Sequence, residues 1–155
     1  MIGAVSAGLL MYSIDNGELK VFLVHPGGPF FTNKDEGYWG IPKGLQESDE
    51  DLLETALREF QEETGIIPAG EYIPLGTVRQ KNNKTVYAWA FSVENSLPIE
   101  ITSNTFEMEW PPRSGIRQHF PEVDKGEFFS PEIARKKIVE AQGEFISGLE
   151  KYLKK

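Results

Sequence analysis

Residues 44–66 constrain this chain more than any other stretch, and they read GLQESDEDLLETALREFQEETGI. As a helix, the segment puts Glu59, Glu62 and Glu63 at i, i+3 and i+4, on one face. Three like charges repel one another unless something positive sits among them. A divalent cation meets that need, because Mg²⁺ and Mn²⁺ take carboxylate and water oxygens and also bind phosphate. The competing reading is a solvated acidic face, which is common in a chain with 24 acidic residues. The cluster alone does not choose between them.

The flanking pattern favours a packed helix. Ser48 and Asp51 resemble a capping box, which predicts a start near Asp49 or Glu50. Leu53, Ala56, Leu57 and Phe60 form an apolar stripe with Leu52 at its margin, and Gly65 is a stop signal. Glu59, Glu62 and Glu63 are expected roughly opposite that stripe, facing solvent.

Composition narrows the partners. The chain has 155 residues, the size of one domain, so a single domain over 1–155 is expected. A net charge of −8 argues against a broad nucleic-acid surface, which needs a basic face. It permits a polyphosphate ligand, because bound cations invert the local field. Without cysteine there is no disulfide, zinc thiolate or cysteine nucleophile, and two histidines do not make a histidine metal site. The first residues read as a strand rather than a leader, since a basic start is missing and Asp15 interrupts the apolar run. No stretch approaches the ~20 apolar residues of a membrane helix, so no membrane partner is expected and a cytoplasmic location is the default.

Strands are predicted over residues 4–12 and 19–25, joined by a turn at Asp15, Asn16 and Gly17. Further strands are expected over 73–78, 85–93 and 104–110, the last at an edge, with a short one at 127–129. Tyr87, Trp89 and Phe91 alternate along one of them and read as core rather than as a base clamp. Residues 111–126 carry three prolines and Gly115, and read as a long irregular loop of the kind that serves a site. Ser130 and Pro131 open a terminal helix, which Gly143 and Gly148 weaken enough to allow two shorter ones. Strands with two amphipathic helices imply an α/β fold, a mixed sheet between helical layers.

The spacing from Gly44 carries more. Gly44, five residues, Glu50, seven residues and then Arg58-Glu59-Phe60-Gln61-Glu62-Glu63-Thr64-Gly65-Ile66 matches the box of the Nudix hydrolase family at every fixed position. The chain resembles that family, and the lead-in Trp39-Gly40-Ile41-Pro42-Lys43 resembles diadenosine polyphosphate hydrolases. The regions around Gln80 to Trp89 and Phe106 to Pro112 look like a bacterial branch of predicted nucleotide pyrophosphohydrolases. The resemblance implies a Nudix-type α/β/α sandwich with a twisted mixed sheet, and attack of water on a diphosphate linkage in a nucleoside diphosphate-linked compound.

It also implies roles. Glu59, Glu62 and Glu63 would hold Mg²⁺, with Mn²⁺ as a substitute, together with a backbone carbonyl at Gly44. Arg58 would brace the acidic face through its planar fork, and Glu50 would hold a water or orient Arg58. Lys43 would contact a phosphate oxygen, and Trp39, Phe30, Phe31 or Tyr38 would stack on a base, with Trp39 taken first. A glutamate of the box or of a later loop would take the proton. Glu122 is favoured over Glu109, Glu127 and His119 because its Pro/Gly-rich segment can reach the metal face. Dinucleoside polyphosphates lead as substrates, with nucleoside triphosphates and nucleotide sugars behind them. A noncatalytic nucleotide-binding sensor is the alternative, and monomer and homodimer both remain open.

Overall fold

The computed structural model describes residues 4–155. Residues 1–3, which open the stretch read as a strand rather than a leader, lie outside the described residues. The strands are β1 (Val5–Asp15), β2 (Glu18–Pro26), β3 (Lys43–Leu45), β4 (Ile73–Gln80), β5 (Lys84–Ser92), β6 (Thr105–Glu109), β7 (Arg117–Pro121) and β8 (Val123–Phe129). The helices are α1 (Leu52–Thr64), α2 (Pro131–Lys137) and α3 (Gly143–Leu153). One sheet runs β4-β5-β1-β2-β8 with β3 also paired to β1, and β6 and β7 form a separate two-stranded sheet. Among the described strands only β1 and β5 pair in parallel, so the main sheet is mixed.

Alternation along β1 builds two cores. Leu9 and Met11 join Phe22, Val24, Ala56 and Phe60 on the α1 side. Leu10 and Tyr12 join Val21, Leu23, Phe145 and Leu149 on the α2–α3 side. The result is the α/β/α sandwich expected from the sequence. Phe91 lies in the α1-side core, and the half-buried Tyr87 and Trp89 pack against it.

One edge of β1 is shared. Its end pairs with β2 from Tyr12 to Asp15, and its start pairs with β3 from Ser6 to Gly8. Residues 39–45 are wedged between the two diverging strands. Gly40 exchanges backbone bonds with Val24, at 2.9 and 3.0 Å, and Leu9 N–H donates to the Pro42 carbonyl. This wedge delivers Lys43 and Gly44 to α1.

Two expectations change, and the alternative left open for the terminal helix is decided. Helix α1 begins at Leu52, two or three residues later than predicted, because Asp51 and Glu54 form the capping box. Residues 111–126 are not one loop: β7 pairs with β6, and β8 begins at Val123 and pairs with β2. Pairing supplies what local pattern lacks, including the Glu107–Arg117 bond at 2.7 Å and the Phe106–Phe120 contact. The terminal helix divides into α2 and α3 around a 3₁₀ turn at Glu140–Gln142, with Ser130 as N-cap of α2.

Candidate active site

Helix α1 does not turn its acidic face to solvent. Glu63 is 7% exposed, and the Glu59 side chain is 14% exposed. Helical spacing explains this: Glu59 and Phe60 follow Ala56 by three and four residues, and Glu63 follows Phe60 by three. The two carboxylates therefore flank the buried stripe rather than oppose it. Glu62, at 38% side-chain exposure, sits at the rim.

Gly44 makes room for Glu59. A Cβ built on Gly44 would lie 2.0 Å from the Glu59 carboxyl carbon, so any side chain here would push this carboxylate from its place. Gly65 closes the helix with φ of 78°, in the left-handed region, and donates to the Gln61 carbonyl.

Arg58 organises the acids. Its Nε and Nη2 donate to the Glu50 carboxylate at 2.5 and 3.0 Å, a bidentate fork. Its Nη1 donates to Glu59 at 2.7 Å and to Glu62 at 3.2 Å, and Nη2 also reaches the Leu45 carbonyl. Thr55 and the Glu47 amide complete Glu50. The Arg58 hydrogen bonds hold the Glu50 carboxyl down to about 2, and the Glu50 partnership raises Arg58 further above its ordinary value.

Glu63 behaves differently. Burial, and then the charge of Glu59, push its carboxyl up to about 9, against an opposing pull from Lys43. Its Oε2 is buried without a hydrogen-bond partner. Lys43 is drawn below its ordinary value, first by burial, while Glu63 and Glu59 work the other way. Among the described residues Lys43 has no carboxylate within 4.0 Å.

Glu122 reaches this place along a backbone chain. Asn104 N–H donates to the Glu62 carbonyl, Glu122 N–H to the Asn104 carbonyl and Gly27 N–H to the Glu122 carbonyl, each at 2.9 Å. The Glu62 carbonyl, left open near the end of α1, is thereby satisfied by Asn104, which in turn holds the segment that presents the exposed Glu122 at the mouth of the site. Lys43, Glu63, Glu122, Gln80 and Gln142 line one cleft of about 170 Å³. Burial, and then Glu59 and Glu62, hold the Glu122 carboxyl above its usual range.

Of the other base candidates, Glu109 and His119 are engaged elsewhere and Glu127 faces solvent. Glu109 accepts from the Arg113 and Gly115 amides and shapes the β6–β7 turn. His119 faces Glu107 at 3.3 Å on the exposed ribbon, and Glu127 is exposed on β8 opposite Leu23.

Trp39 is a correction. It is 2% exposed, packed edge-to-face on His25 and Phe129, with Nε1 donating to Asp35 at 2.8 Å. Its ring is part of the core and offers no open face to a base. Phe30 and Tyr38 are exposed, and Tyr38 lines the cleft.

The sequence reading passed over Gln142 and Gln80. Gln142 is buried, accepts from Ile41 N–H at 2.9 Å and donates to Gln80 Oε1 at 2.8 Å. Its signal was a lone amide inside the apolar period running from Ile138 to Phe145.

Do these residues fit a divalent cation? The donors are carboxylate and backbone oxygens, the set that hard cations prefer. The orphaned Glu63 Oε2 and the close approach of Glu59 to Gly44 both fit. Arg58 draws Glu59 and Glu62 toward itself, and among the described residues no three acidic or histidine side chains stand at metal-holding spacing. The chemistry of the site fits a cation whose arrival competes with Arg58.

The NUDIX domain model matches residues 4–149, so the chain belongs to the Nudix family. A rat asymmetrical bis(5'-nucleosyl)-tetraphosphatase is 42% identical over 80 residues, 47% of this chain. The chain spans 54% of the length of that relative. A C. elegans Ap4A hydrolase in a binary complex superposes with a TM-score of 0.68 at 19% identity, covering 97% of this chain and 98% of its own. The NUDIX domain of Shewanella oneidensis NrtR complexed with ADP ribose gives 0.66 at 17%, covering 99% and 90%. Both likenesses are of fold. No described helix is long and apolar enough to cross a membrane.

Proposed function

We propose that this chain, as a single Nudix domain over 1–155, is a cytoplasmic metal-dependent hydrolase of the diphosphate linkage in nucleoside diphosphate-linked compounds. Dinucleoside polyphosphates are its first substrate class and nucleoside triphosphates its second. The observation that carries the reading is the buried, unpartnered Glu63 oxygen, which lines one cleft with Lys43 and Glu122. The matched lead-in 39–44 and the likeness to the rat tetraphosphatase support the substrate class.

Glu59, Glu62, Glu63 and the Gly44 carbonyl would hold Mg²⁺ or Mn²⁺. When bound, such a cation neutralises phosphate charge and acidifies a water. Lys43, in the same cleft, steadies a phosphate oxygen. Glu122 takes a proton from the attacking water, and the upward shift of its carboxyl by burial and by Glu59 and Glu62 makes it a stronger base. Arg58 keeps Glu59 and Glu62 in place without touching phosphate. Positioning and fixed charge then supply most of the rate, and no covalent intermediate is needed.

The test is turnover of a nucleotide panel with Mg²⁺ or Mn²⁺, beside EDTA and Glu63→Gln. Metal-dependent cleavage that the variant loses supports the reading. Tight nucleotide binding without turnover replaces it with a nucleotide sensor.

A further inference from the structure

A second cleft, of about 1110 Å³, lies between the β4–β5 turn and α2–α3. Arg79, Lys81 and Lys84 line it from one side, and Arg135 and Lys136 from the other. Glu140 and Glu144 are the only carboxylates among its lining residues. Five of the chain's 16 basic residues thus meet in one concavity of a protein with net charge −8. Charge gathered against the sign of the whole molecule marks a place built for an anion.

These cations are mostly unspent. Arg135 pairs with Glu150, but Arg79, Lys81, Lys84 and Lys136 join no ion pair among the described residues. The cleft also adjoins the Glu63 site, because Gln80 and Val139 line both.

The dividing wall has a defined polarity. Ile41 N–H requires an acceptor, so the oxygen of the Gln142 amide faces it. The Gln142 nitrogen must then donate to Gln80 Oε1. That leaves Gln80 Nε2 as a donor with no acceptor among the described residues, on the wall between the two clefts. An anionic chain leaving the Glu63 site would meet an N–H donor and then lysines, which bind phosphate as point charges.

We propose that this basic cleft seats the distal phosphates of an extended polyphosphate substrate, so that the enzyme favours substrates with phosphates beyond the scissile linkage. The inference rests on the pyrophosphohydrolase reading for its site of cleavage, but not for binding.

The experiment measures inorganic tripolyphosphate binding by calorimetry in metal-free, low-salt buffer. It uses the whole protein, Lys81→Ala/Lys84→Ala, Lys136→Ala, Glu63→Gln and the surface control Lys151→Ala. Binding should persist in Glu63→Gln and Lys151→Ala and weaken about tenfold or more in the double variant, with a smaller loss in Lys136→Ala. Thermal melts confirm that each variant is folded. In turnover, wild type should gain kcat/KM with each added phosphate, and the double variant should lose that gain while keeping its rate on the shortest substrate. Tripolyphosphate binding that is absent, or unchanged in the double variant, overturns the proposal. Tighter binding of a short single-stranded RNA without terminal phosphate than of tripolyphosphate also overturns it. Tripolyphosphate binding as expected, with no turnover of any nucleotide, would instead defeat the hydrolase reading and leave the anion site standing.

Discussion

The Glu59 carboxylate occupies the space that a side chain on Gly44 would fill. Gly44→Ala therefore displaces Glu59 rather than the backbone, since β3 is held by its pairing to Ala7. A small displacement of a positioning group can cost about 10²-fold in rate. The expected outcome is a folded protein with kcat/KM down about 10²-fold and weaker Mg²⁺ activation. An unchanged metal titration would show that Glu59 is not needed where it lies.

The pH dependence of stability should follow Glu63. Its carboxyl is raised from an ordinary 4.5 to about 9, so the folded state holds a proton that the unfolded state releases. That stability is fully present below about pH 4.5 and is lost as pH rises toward about 9, at up to about 1.4 kcal/mol per pH unit for one proton. Glu122 adds in the same direction, and Lys43, lowered by burial, opposes it near the alkaline end. In EDTA, Tm should fall across this window in wild type and much less in Glu63→Gln. Mg²⁺ should flatten the slope by favouring the ionised carboxylate, with proton release visible by calorimetry in buffers of different ionisation enthalpy. Parallel slopes in wild type and Glu63→Gln would remove Glu63 as the cause.

Much of this arrangement was legible because it follows short-range rules. The two periods that mark β1, β2 and α1 are local, and the box fills fixed positions from Gly44 to Ile66. The inward turn of Glu59 and Glu63 was also present in the spacing from Ala56 and Phe60. It was missed because charge was read as exposure. What no local pattern could supply was pairing. β7 is five residues bracketed by breakers and exists through β6, while the polar start of β8 is an edge that β2 completes. Trp39 sits among glycines and a tyrosine in sequence, and its packing partners Phe129 and Ile138 come from the far end of the chain. Its burial was therefore invisible at the point where it looked like a base-stacking residue.

Replacing Arg58 with lysine keeps the charge and loses the fork. A point ammonium does not serve Glu50 bidentately while also reaching Glu59 and Glu62. Partners that orient metal ligands are worth about 10–100-fold in activity or affinity, and Arg58→Lys should fall in that range. Glu50 gives a second readout. Held down to about 2, it contributes stability above pH 4.5 that is lost as pH falls through about 2. In Arg58→Lys the acid unfolding midpoint should move to higher pH. An unmoved midpoint would mean that the fork does not govern Glu50.

Glu122→Gln separates a base from a surface carboxylate. If Glu122 accepts the proton, kcat should drop about 10²–10⁴-fold with KM little changed. A base must be ionised, so wild-type kcat should fall as pH drops through the Glu122 pKa, which lies above the ordinary 4.5. The variant should lose that acid limb. A full-rate variant with the limb intact would pass the role to a glutamate of the box.

Trp39 offers the clearest choice between packing and recognition. Its ring meets His25 and Phe129 edge-on, Lys125 lies 5.5 Å from its centroid and Asp35 takes its N–H. A residue so enclosed acts on substrate only through the wedge it anchors. Trp39→Phe loses the Asp35 bond and part of the ring volume, and Trp39→Ala should cost roughly 3–5 kcal/mol, as large aromatic truncations in cores do. Both variants should lower the urea midpoint, and Trp39→Phe should leave KM for different nucleobases in the same ratio as wild type. A base-stacking residue would behave the other way, with stability kept and the KM ratio between purine and pyrimidine substrates changed. That second pattern would require the 39–45 wedge to open in solution, because nothing else frees a face of the ring.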